Sequence, residues 1–204
     1  MTNATAFWDR IAPRYAARPI SDEVAYEETL ARTISYLNPT DTALEIGCGT
    51  GSTALRLASH VKRMVATDFA PGMIAIAKDK ARAIDNLTVQ RADADRIEGG
   101  PFDAVMAFNL LHLLPDLNHT LGVLFDHMRP GAHLVSKTPC LGDGKVWLRL
   151  IVPPMKWMGK APPVRFTRIG DLERSIAAAG FDIVETSTQP DVAPRRFIVA
   201  RKPA

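Results

Sequence analysis

The chain has 204 residues, of which 47% are hydrophobic and 23% are charged, and its formal net charge at pH 7 is +3. This balance excludes a disordered or fibrous chain, and the length suits one large domain with its own core. Cys48 and Cys140 are the only cysteines, so no disulfide framework is available. The start, MTNATAFWDR, lacks a basic and apolar leader, and no stretch reaches the roughly 18 apolar residues of a spanning helix. A cytoplasmic protein is therefore expected.

Helical spacing of apolar residues predicts two helices before the first strand, in FWDRIAPRYA and SDEVAYEETLARTISYL. After Pro39 five short apolar runs, TALEI, RMVATD, LTVQRA, FDAVMAF and AHLVSKT, alternate with helical segments that begin near Thr50, Pro71 and Leu117. This alternation predicts parallel strands covered by helices on both faces. A helix over about 168–179 then precedes FDIVETST and RRFIVARK, which predict an antiparallel hairpin at the end of a mostly parallel sheet.

The stretch ALEIGCGTGSTALRLA, residues 43–58, leads from the first strand into a helix through three alternating glycines. In an open α/β sheet the ligand lies beyond the carboxyl ends of the strands, and glycines in the first turn let the backbone approach it. Gly47, Gly49 and Gly51 therefore predict a ligand site, although a tight turn with left-handed conformations would also use glycine. The pattern G-x-G-x-G differs from the dinucleotide pattern G-x-G-x-x-G, and the nearby Glu45 would repel a pyrophosphate and suit a cationic ligand. These features disfavour NAD.

The segment LEIGCGTG resembles the first motif of the class I S-adenosylmethionine-dependent methyltransferases, and similar motifs follow in order within residues 40–137. The resemblance implies a Rossmann-like α/β fold with a mostly parallel seven-stranded sheet in the order 3-2-1-4-5-7-6, in which strand 7 is antiparallel. It also implies S-adenosylmethionine as the cofactor, S-adenosylhomocysteine as the product, and in-line methyl transfer.

The resemblance assigns roles to individual residues. Asp68 takes the place of the acidic residue that hydrogen-bonds the ribose hydroxyls, Phe69 and Met73 would flank the adenine, and Asp93 with the Ala94 backbone would meet the adenine amino group. The full predicted cofactor-binding set is Tyr15, Glu45, Gly47, Cys48, Gly49, Gly51, Asp68, Phe69, Met73, Asp93, Ala94 and Asn109. Helix capping by Asp68, a plain loop carboxylate at Asp93 and core packing by Phe69 and Met73 remain open alternatives.

The segment FWDRIAPRYAARP resembles the W-x-x-x-A-x-x-Y opening of small-molecule methyltransferases, similar to quinone-biosynthesis and methyltransferase-11-like enzymes. This resemblance places Trp8 near the substrate and Tyr15 near the sulfonium or the carboxylate end of the cofactor. His112 follows the fourth strand and could act as a general base toward a weakly acidic acceptor. Tyr15 and His112 are the predicted catalytic residues, with His112 also contacting substrate; a core tyrosine and a structural histidine are the alternatives.

The insertion GDGKVWLRLIVPPMKWMGKAPPVRF, residues 142–166, mixes apolar and basic side chains. Three interpretations stay open: a lid over the substrate pocket, a basic amphipathic surface that contacts an anionic membrane, or a dimer contact. Trp147 and Trp157 are predicted to bind substrate, by cation-π contact if the substrate is an amine. Its paired prolines predict a short helix, a break and a second short piece.

The predicted organisation is a single methyltransferase domain over 1–204. Its parts are an N-terminal helical cap (1–38), the cofactor-binding core (40–137), the lid-like insertion (142–166), and a C-terminal helix with a β-hairpin (167–204). The predicted function is methylation of a small, apolar molecule: a quinol or phenol, an amino lipid or a small thiol. No spacing typical of metal ligands and no nucleic-acid module is present, so neither a metal nor a nucleic-acid partner is expected.

Two other functions are retained as alternatives: a non-catalytic regulatory domain that binds S-adenosylmethionine, and, disfavoured, an NAD-dependent oxidoreductase. The sequence leaves the choice between monomer and homodimer open.

Overall fold

The computed structural model describes residues 3–158, 161–162 and 164–204. The helices are α1 (Asn3–Ala16), α2 (Glu23–Ile34), α3 (Ser52–Leu57), α4 (Pro71–Ala81), α5 (Leu117–Asp126), α6 (Leu148–Trp157) and α7 (Ile169–Ala178). The strands are β1 (Thr42–Ile46), β2 (Arg63–Asp68), β3 (Leu87–Arg91), β4 (Phe102–Phe108), β5 (Met128–Pro139), β6 (Asp182–Gln189) and β7 (Arg195–Arg201). Short 3-10 turns follow α3, β4 and β5.

The strands form one sheet in the order β3-β2-β1-β4-β5-β7-β6. All neighbouring pairs are parallel except those of β7, which runs antiparallel to both β5 and β6. The predicted strand order and the antiparallel strand 7 are confirmed. β5 begins at Met128, four residues before the predicted start at Ala132, because its first residues already pair with the beginning of β4 across a register shift.

The core lies on both faces of the central strands. Along β4, Val105 belongs to one apolar cluster and the adjacent Met106 belongs to the cluster on the opposite face, and both are fully buried. Successive strand residues point to opposite faces, so a strand covered on both sides needs a continuous apolar run. Burial of a side chain such as Met106 stabilises the fold by about 1.5–3 kcal/mol. Because β1, β4 and β5 run parallel, their carboxyl ends lie together at one edge of the sheet.

The two N-terminal helices cover that edge. In α1, the Asp9 carboxylate accepts a hydrogen bond from the Gly72 amide in the first turn of α4, at 2.8 Å. In α2, the Thr29 hydroxyl accepts a hydrogen bond from the Lys137 ammonium on β5, at 2.7 Å. One helix is thus fixed to the β2 side of the sheet edge and the other to the β5 side. Among the residues that the structure describes, no helix is both long and apolar enough to span a bilayer.

The predicted break at the first proline pair of the insertion is wrong, because α6 continues through Pro153 and Pro154. Each proline removes one backbone donor from the helix. The residues four positions earlier, Arg149 and Leu150, are exposed. Their carbonyl groups can therefore bond to water, and the loss of two helical hydrogen bonds costs little stability. The predicted second short piece falls partly on residues outside the described ranges, and residues 161–162 and 164–166 form no helix.

Candidate cofactor and substrate site

The glycine turn directly follows β1. Gly47, Gly49 and Gly51 all have positive φ, at 64°, 54° and 77°. A Cβ on Gly47 would lie 2.6 Å from a Leu110 methyl group, whereas a Cβ on Gly49 would meet only the Tyr15 ring, at 3.8 Å. At Gly47 the positive φ favours glycine, and a Cβ would also have to displace the buried Leu110 side chain. At Gly49 the turn presents bare backbone to the space beyond the sheet edge, which is what a closely bound ligand requires.

Asp68, at the end of β2, holds this turn in place. Its two carboxylate oxygens accept hydrogen bonds from the amides of Gly49 at 3.0 Å and Ala70 at 2.9 Å. Ala70 is the N-cap residue of α4, so Asp68 supports the start of that helix without being its cap. Burial raises the pKa of the Asp68 carboxyl. The carboxylate therefore joins the glycine turn to the adjacent helix and still borders the cavity described below.

Glu45, in β1, carries the most perturbed carboxyl of the site. Its side chain is buried, and Oε2 has no hydrogen-bond partner among the described residues. Burial, followed by the charge of Asp68, raises the pKa of Glu45 to about 8. An unpaired polar atom in the interior costs free energy unless a ligand supplies its partner. Two neighbouring carboxylates with an unsatisfied oxygen favour a cationic ligand group, and the site therefore fits a cofactor that bears an ammonium and a sulfonium.

A cavity of about 1090 Å³ lies over this edge of the sheet. It collects most of the predicted site residues: Trp8, Tyr15, Glu45, Gly47, Cys48, Gly49, Asp68, Phe69, Met73, Asp93, Ala94, Asn109 and His112. Gly51 is not on the lining; it caps α3, and a Cβ there would lie 3.0 Å from Ala77 of α4, so its small size serves the packing of the two helices. Burial also raises the pKa of the Cys48 thiol, which keeps that group protonated at neutral pH.

The walls around the predicted adenine position differ in burial. Met73 is 1% exposed and packs with Ala12 and Ala70, whereas Phe69 is half-buried. Asp93 lies in the loop after β3 and is exposed. Met73 thus packs in the core, which was the alternative to a role at the adenine, and it also borders the cavity.

The aromatic side of the cavity comes from α1. The Trp8 and Tyr15 rings meet edge to face with their centroids 6.3 Å apart. Tyr15 exposes 48% of its surface, yet burial around its phenol raises the pKa, and the carboxylates of Asp68 and Glu45 raise it further. The phenol therefore stays protonated and can donate a hydrogen bond into the acidic end of the cavity.

His112 lies in the 3-10 turn after β4. It is 8% exposed, and its Nδ1 has no hydrogen-bond partner among the described residues. Burial, with a contribution from the positive charge of Arg195, lowers the pKa of His112 to about 4. The imidazole is therefore neutral at pH 7 and holds an unoccupied nitrogen. This arrangement can accept a hydrogen bond or a proton from a substrate, but it does not favour a lasting imidazolium.

Trp147 and Trp157 do not line the cavity, so the structure does not support the prediction that they bind substrate. Trp147 is 45% exposed and Trp157 is 89% exposed. The segment is held at its beginning, where the Lys145 amide donates to the Val192 carbonyl beside the β6–β7 loop. From that anchor α6 runs along the outside of the molecule. Of the described residues in the predicted lid, only Pro162 borders the cavity.

Sequence analysis missed the opposite wall of the cavity. Lys137 of β5, Thr29 of α2 and Arg195 of β7 all border it. A signal for Lys137 was available, since a lysine near the carboxyl end of a central strand occupies a typical ligand-binding position. Arg195 carried no such signal, because its approach to Lys137 depends on the pairing of β5 with β7.

The strand order and the glycine turn after β1, where the topology switches between β1 and β4, define a class I methyltransferase fold. Residues 44–134 match the model of a protein family described as a methyltransferase domain. This match covers fewer than half of the residues of the chain, and within it the chain is similar to a methyltransferase domain, as the resemblance noted in the sequence predicts.

Individual relatives are distant. The chain is 25% identical over 193 residues to the highly reducing polyketide synthase lcsB of Purpureocillium lilacinum, covering 86% of this chain and 8% of the synthase. It is 31% identical over 112 residues to the probable ribosomal RNA small subunit methyltransferase A of Methanosarcina mazei, covering 51% of this chain and 41% of that protein. The chain thus spans less than half of the length of these curated relatives.

Among solved structures, the N-methyltransferase NodS from Bradyrhizobium japonicum, in complex with S-adenosyl-L-homocysteine, is similar with a TM-score of 0.77. The alignment covers 100% of both chains at 17% identity. At this identity the likeness shows the fold, and the chemistry must be argued from the residues of the site.

Proposed function

We propose that this protein transfers a methyl group from S-adenosylmethionine to a small molecule. The observation that carries the proposal is the buried Glu45 carboxyl with its unpaired oxygen, beside the bare backbone of Gly49. NAD would place a pyrophosphate beside the Asp68 carboxylate as a like charge, and it offers no cation that would favour ionisation of the protonated Glu45 carboxyl. S-adenosylmethionine offers cationic groups instead. The structure of NodS, which has the same fold and was solved in complex with S-adenosyl-L-homocysteine, supports this choice.

The cofactor half of the cavity is formed by the residues after β1, β2 and β3. We propose that Glu45 and the Gly49 backbone hold the amino acid end of the cofactor, that Asp68 holds the ribose, and that Phe69, Met73 and Asp93 surround the adenine. When bound, S-adenosylmethionine would supply a methyl group on a positively charged sulfur. The protein supplies position and a dry environment, which are the main contributions expected for such a transfer.

The substrate half is formed mainly by the end of β4 and the turn that follows it, together with α1. Its apolar lining includes Trp8, Phe108, Leu110, Leu113 and Leu114. We propose that this wall binds the apolar body of the acceptor and excludes water. The neutral His112 would accept the proton of a phenol or thiol, whereas an amine acceptor would need only positioning.

The test combines binding with turnover. Calorimetry should show binding of S-adenosylhomocysteine and none of NAD. Release of S-adenosylhomocysteine from labelled cofactor should then be followed with phenols and quinols, amino lipids and small thiols. The wild type, His112→Ala and the matched surface control His119→Ala should be compared. Turnover lost only in His112→Ala assigns the base; binding without turnover on any acceptor supports the non-catalytic alternative; absence of cofactor binding refutes the proposal.

We also propose that α6 contacts an anionic lipid surface. Val146, Leu150 and Trp157 are 78%, 74% and 89% exposed, and the basic Lys145 and Arg149 accompany them. Exposed apolar side chains beside basic ones suit the interface of a membrane with anionic lipids.

Sedimentation with vesicles of phosphatidylcholine and phosphatidylserine tests this proposal. The double variant Leu150→Glu, Trp157→Glu should lose binding, while wild-type binding should depend on phosphatidylserine. Equal sedimentation of wild type and variant would refute the contact. A concentration-dependent dimer that the variant abolishes would assign the surface to a second copy instead.

A further inference from the structure

A pair of basic side chains occupies the end of the cavity opposite to Glu45 and Asp68. Lys137 lies near the carboxyl end of β5, and Pro139, two residues later, pairs with Arg195 of β7. Residues two apart in a strand share a face, and so do directly opposed residues of neighbouring strands. Lys137 and Arg195 therefore share one face of the sheet, one diagonal position apart. Both border the cavity.

Lys137 is held by neutral groups. Its ammonium donates to the Thr29 hydroxyl at 2.7 Å and to the Ala25 carbonyl at 3.2 Å. None of the salt bridges found among the described residues includes Lys137. An ammonium has three donors, so one remains after these two bonds. Thr29 and Ala25 thus fix the side chain in a half-buried position while its charge is left without an ionic partner.

Arg195 is only partly neutralised. Its Nε donates to the Asp191 carboxylate at 3.0 Å. The two terminal nitrogens carry further donors in the plane of the guanidinium, a geometry that suits a carboxylate. Arg195 and His112 both border the cavity, and the positive charge of Arg195 contributes to the lowered pKa of His112.

The cavity is therefore electrically divided. Glu45 and Asp68 make one end acidic, and Lys137 and Arg195 make the other end basic. Besides Arg195, the charged groups that act on Lys137 are Asp22, Glu28 and Arg32. With Asp191 on Arg195 and Asp22 near Lys137, the local excess of positive charge is small, which suits a singly charged anion better than a phosphate dianion.

We infer that Lys137 and Arg195 bind the carboxylate of an acidic substrate, whose apolar body lies against the leucines after β4. The inference rests on the proposed function, since it assigns the substrate class of the same site. A cation bound at Glu45 and an anion bound at Lys137 would approach each other across the cavity. Each would then strengthen the binding of the other, and neutral analogues of the acid would bind more weakly.

The test uses cinnamate and octanoate as carboxylate probes, with cinnamamide and octanamide as neutral matches. Affinities are measured by ligand-observed NMR on protein saturated with S-adenosylhomocysteine. The acids should bind at least about tenfold more tightly than the amides, since a charge-assisted hydrogen bond discriminates by roughly that factor or more. Lys137→Gln and Arg195→Gln should each remove most of this preference and leave amide binding unchanged. Lys137→Arg should restore part of it.

The chain offers matched controls. Lys202 donates to two main-chain carbonyls, as a half-buried lysine outside the cavity, and Arg196 is bound to Glu173. Lys202→Gln and Arg196→Gln should keep the preference for acids. Equal affinities of acids and amides, no acid binding at millimolar concentration, or the same loss in the controls would each overturn the inference. Affinity for S-adenosylhomocysteine is measured in the wild type and in every variant. If it is bound but acids are not preferred, only this inference fails, whereas the proposed function fails if it is not bound by the wild type.

Discussion

Replacement of Glu45 by glutamine tests the buried carboxyl on which the proposed function depends. Burial and Asp68 raise the pKa of this group from 4.5, its ordinary value, to about 8. At this one group the folded chain therefore binds more protons than the unfolded chain between these values, so the contribution of Glu45 to the free energy of unfolding falls as the pH rises from 4.5 to 8. Each pH unit costs about 1.4 kcal/mol, which gives a loss of up to roughly 3 kcal/mol between pH 4.5 and 7.

Glutamine does not titrate, so the Glu45→Gln variant should escape this loss. The free energy of unfolding of the variant minus that of the wild type should rise by up to roughly 3 kcal/mol between pH 4.5 and pH 7. For a chain of this size this corresponds to roughly 6–12 °C in Tm. Thermal unfolding of the ligand-free proteins at constant ionic strength measures the difference. Glu27, in an exposed pair with Arg56, provides the control Glu27→Gln, which should follow the wild type. If the curves of Tm against pH were parallel for wild type and Glu45→Gln, the inference that Glu45 is buried and protonated would be refuted.

Ligand binding gives the same substitution a second readout. A ligand cation placed beside Glu45 favours the carboxylate, so the wild type should release close to one proton on binding S-adenosylhomocysteine at pH 7. Calorimetry in two buffers with different ionisation enthalpies counts this proton. Glu45→Gln should bind more weakly and release none. If the wild type releases no proton although Glu45→Gln gains stability on the wild type with rising pH, then Glu45 does not face the ligand cation, and the assignment of the amino acid end of the cofactor is wrong.

Three further predictions concern neighbouring parts of the site. Burial lowers the pKa of His112 to about 4, so His112→Gln should lose less free energy of unfolding than the wild type, by up to roughly 3 kcal/mol, as the pH falls from 6.5 to 4. Urea unfolding with His119→Gln as control checks this. Identical acid sensitivity of His112→Gln and wild type would contradict it. Gly47→Ala should destabilise the fold by about 1–3 kcal/mol, more than Gly49→Ala, because only the Cβ at position 47 would clash with a neighbour, the Leu110 side chain. Urea unfolding measures both variants, and equal losses of stability would argue against the clash. Asp68→Ala should weaken S-adenosylhomocysteine binding by about tenfold or more, and unchanged affinity by calorimetry would show that the ribose assignment is wrong.

Much of the fold could be predicted from the sequence for a definite physical reason. TALEI, RMVATD and FDAVMAF coincide with β1, β2 and β4 residue for residue. Strands buried on both faces are mostly apolar at successive positions, so the ends of such runs are well defined in the sequence. The glycine turn was equally clear, because positive φ restricts its positions to glycine.

The remainder depended on contacts between distant parts of the chain. The outward position of Trp147 and Trp157 follows from the anchor of the insertion near Val192, which no local pattern reveals. The pairing of Pro139 with Arg195 joins residues far apart in sequence, so the basic end of the cavity could not be recognised from spacing. Gly51 shows a further limit, since its place in the motif suggested a cofactor contact and its neighbour Ala77 shows a packing role.

Glu45 and His112 have pKa shifts whose effects on stability oppose each other. The Glu45 carboxyl makes the folded state less stable as the pH rises above 4.5, and the His112 imidazole makes it less stable as the pH falls below 6.5. Between these values each contributes a slope of about 1.4 kcal/mol per pH unit, and the slopes cancel. The wild type therefore shows neither shift separately in this range. Relative to the wild type, Glu45→Gln should become more stable with rising pH and His112→Gln less stable, and the double variant should regain the wild-type profile. Slopes of the same sign in the two single variants would show that one of the two groups is not buried in the way the structure describes.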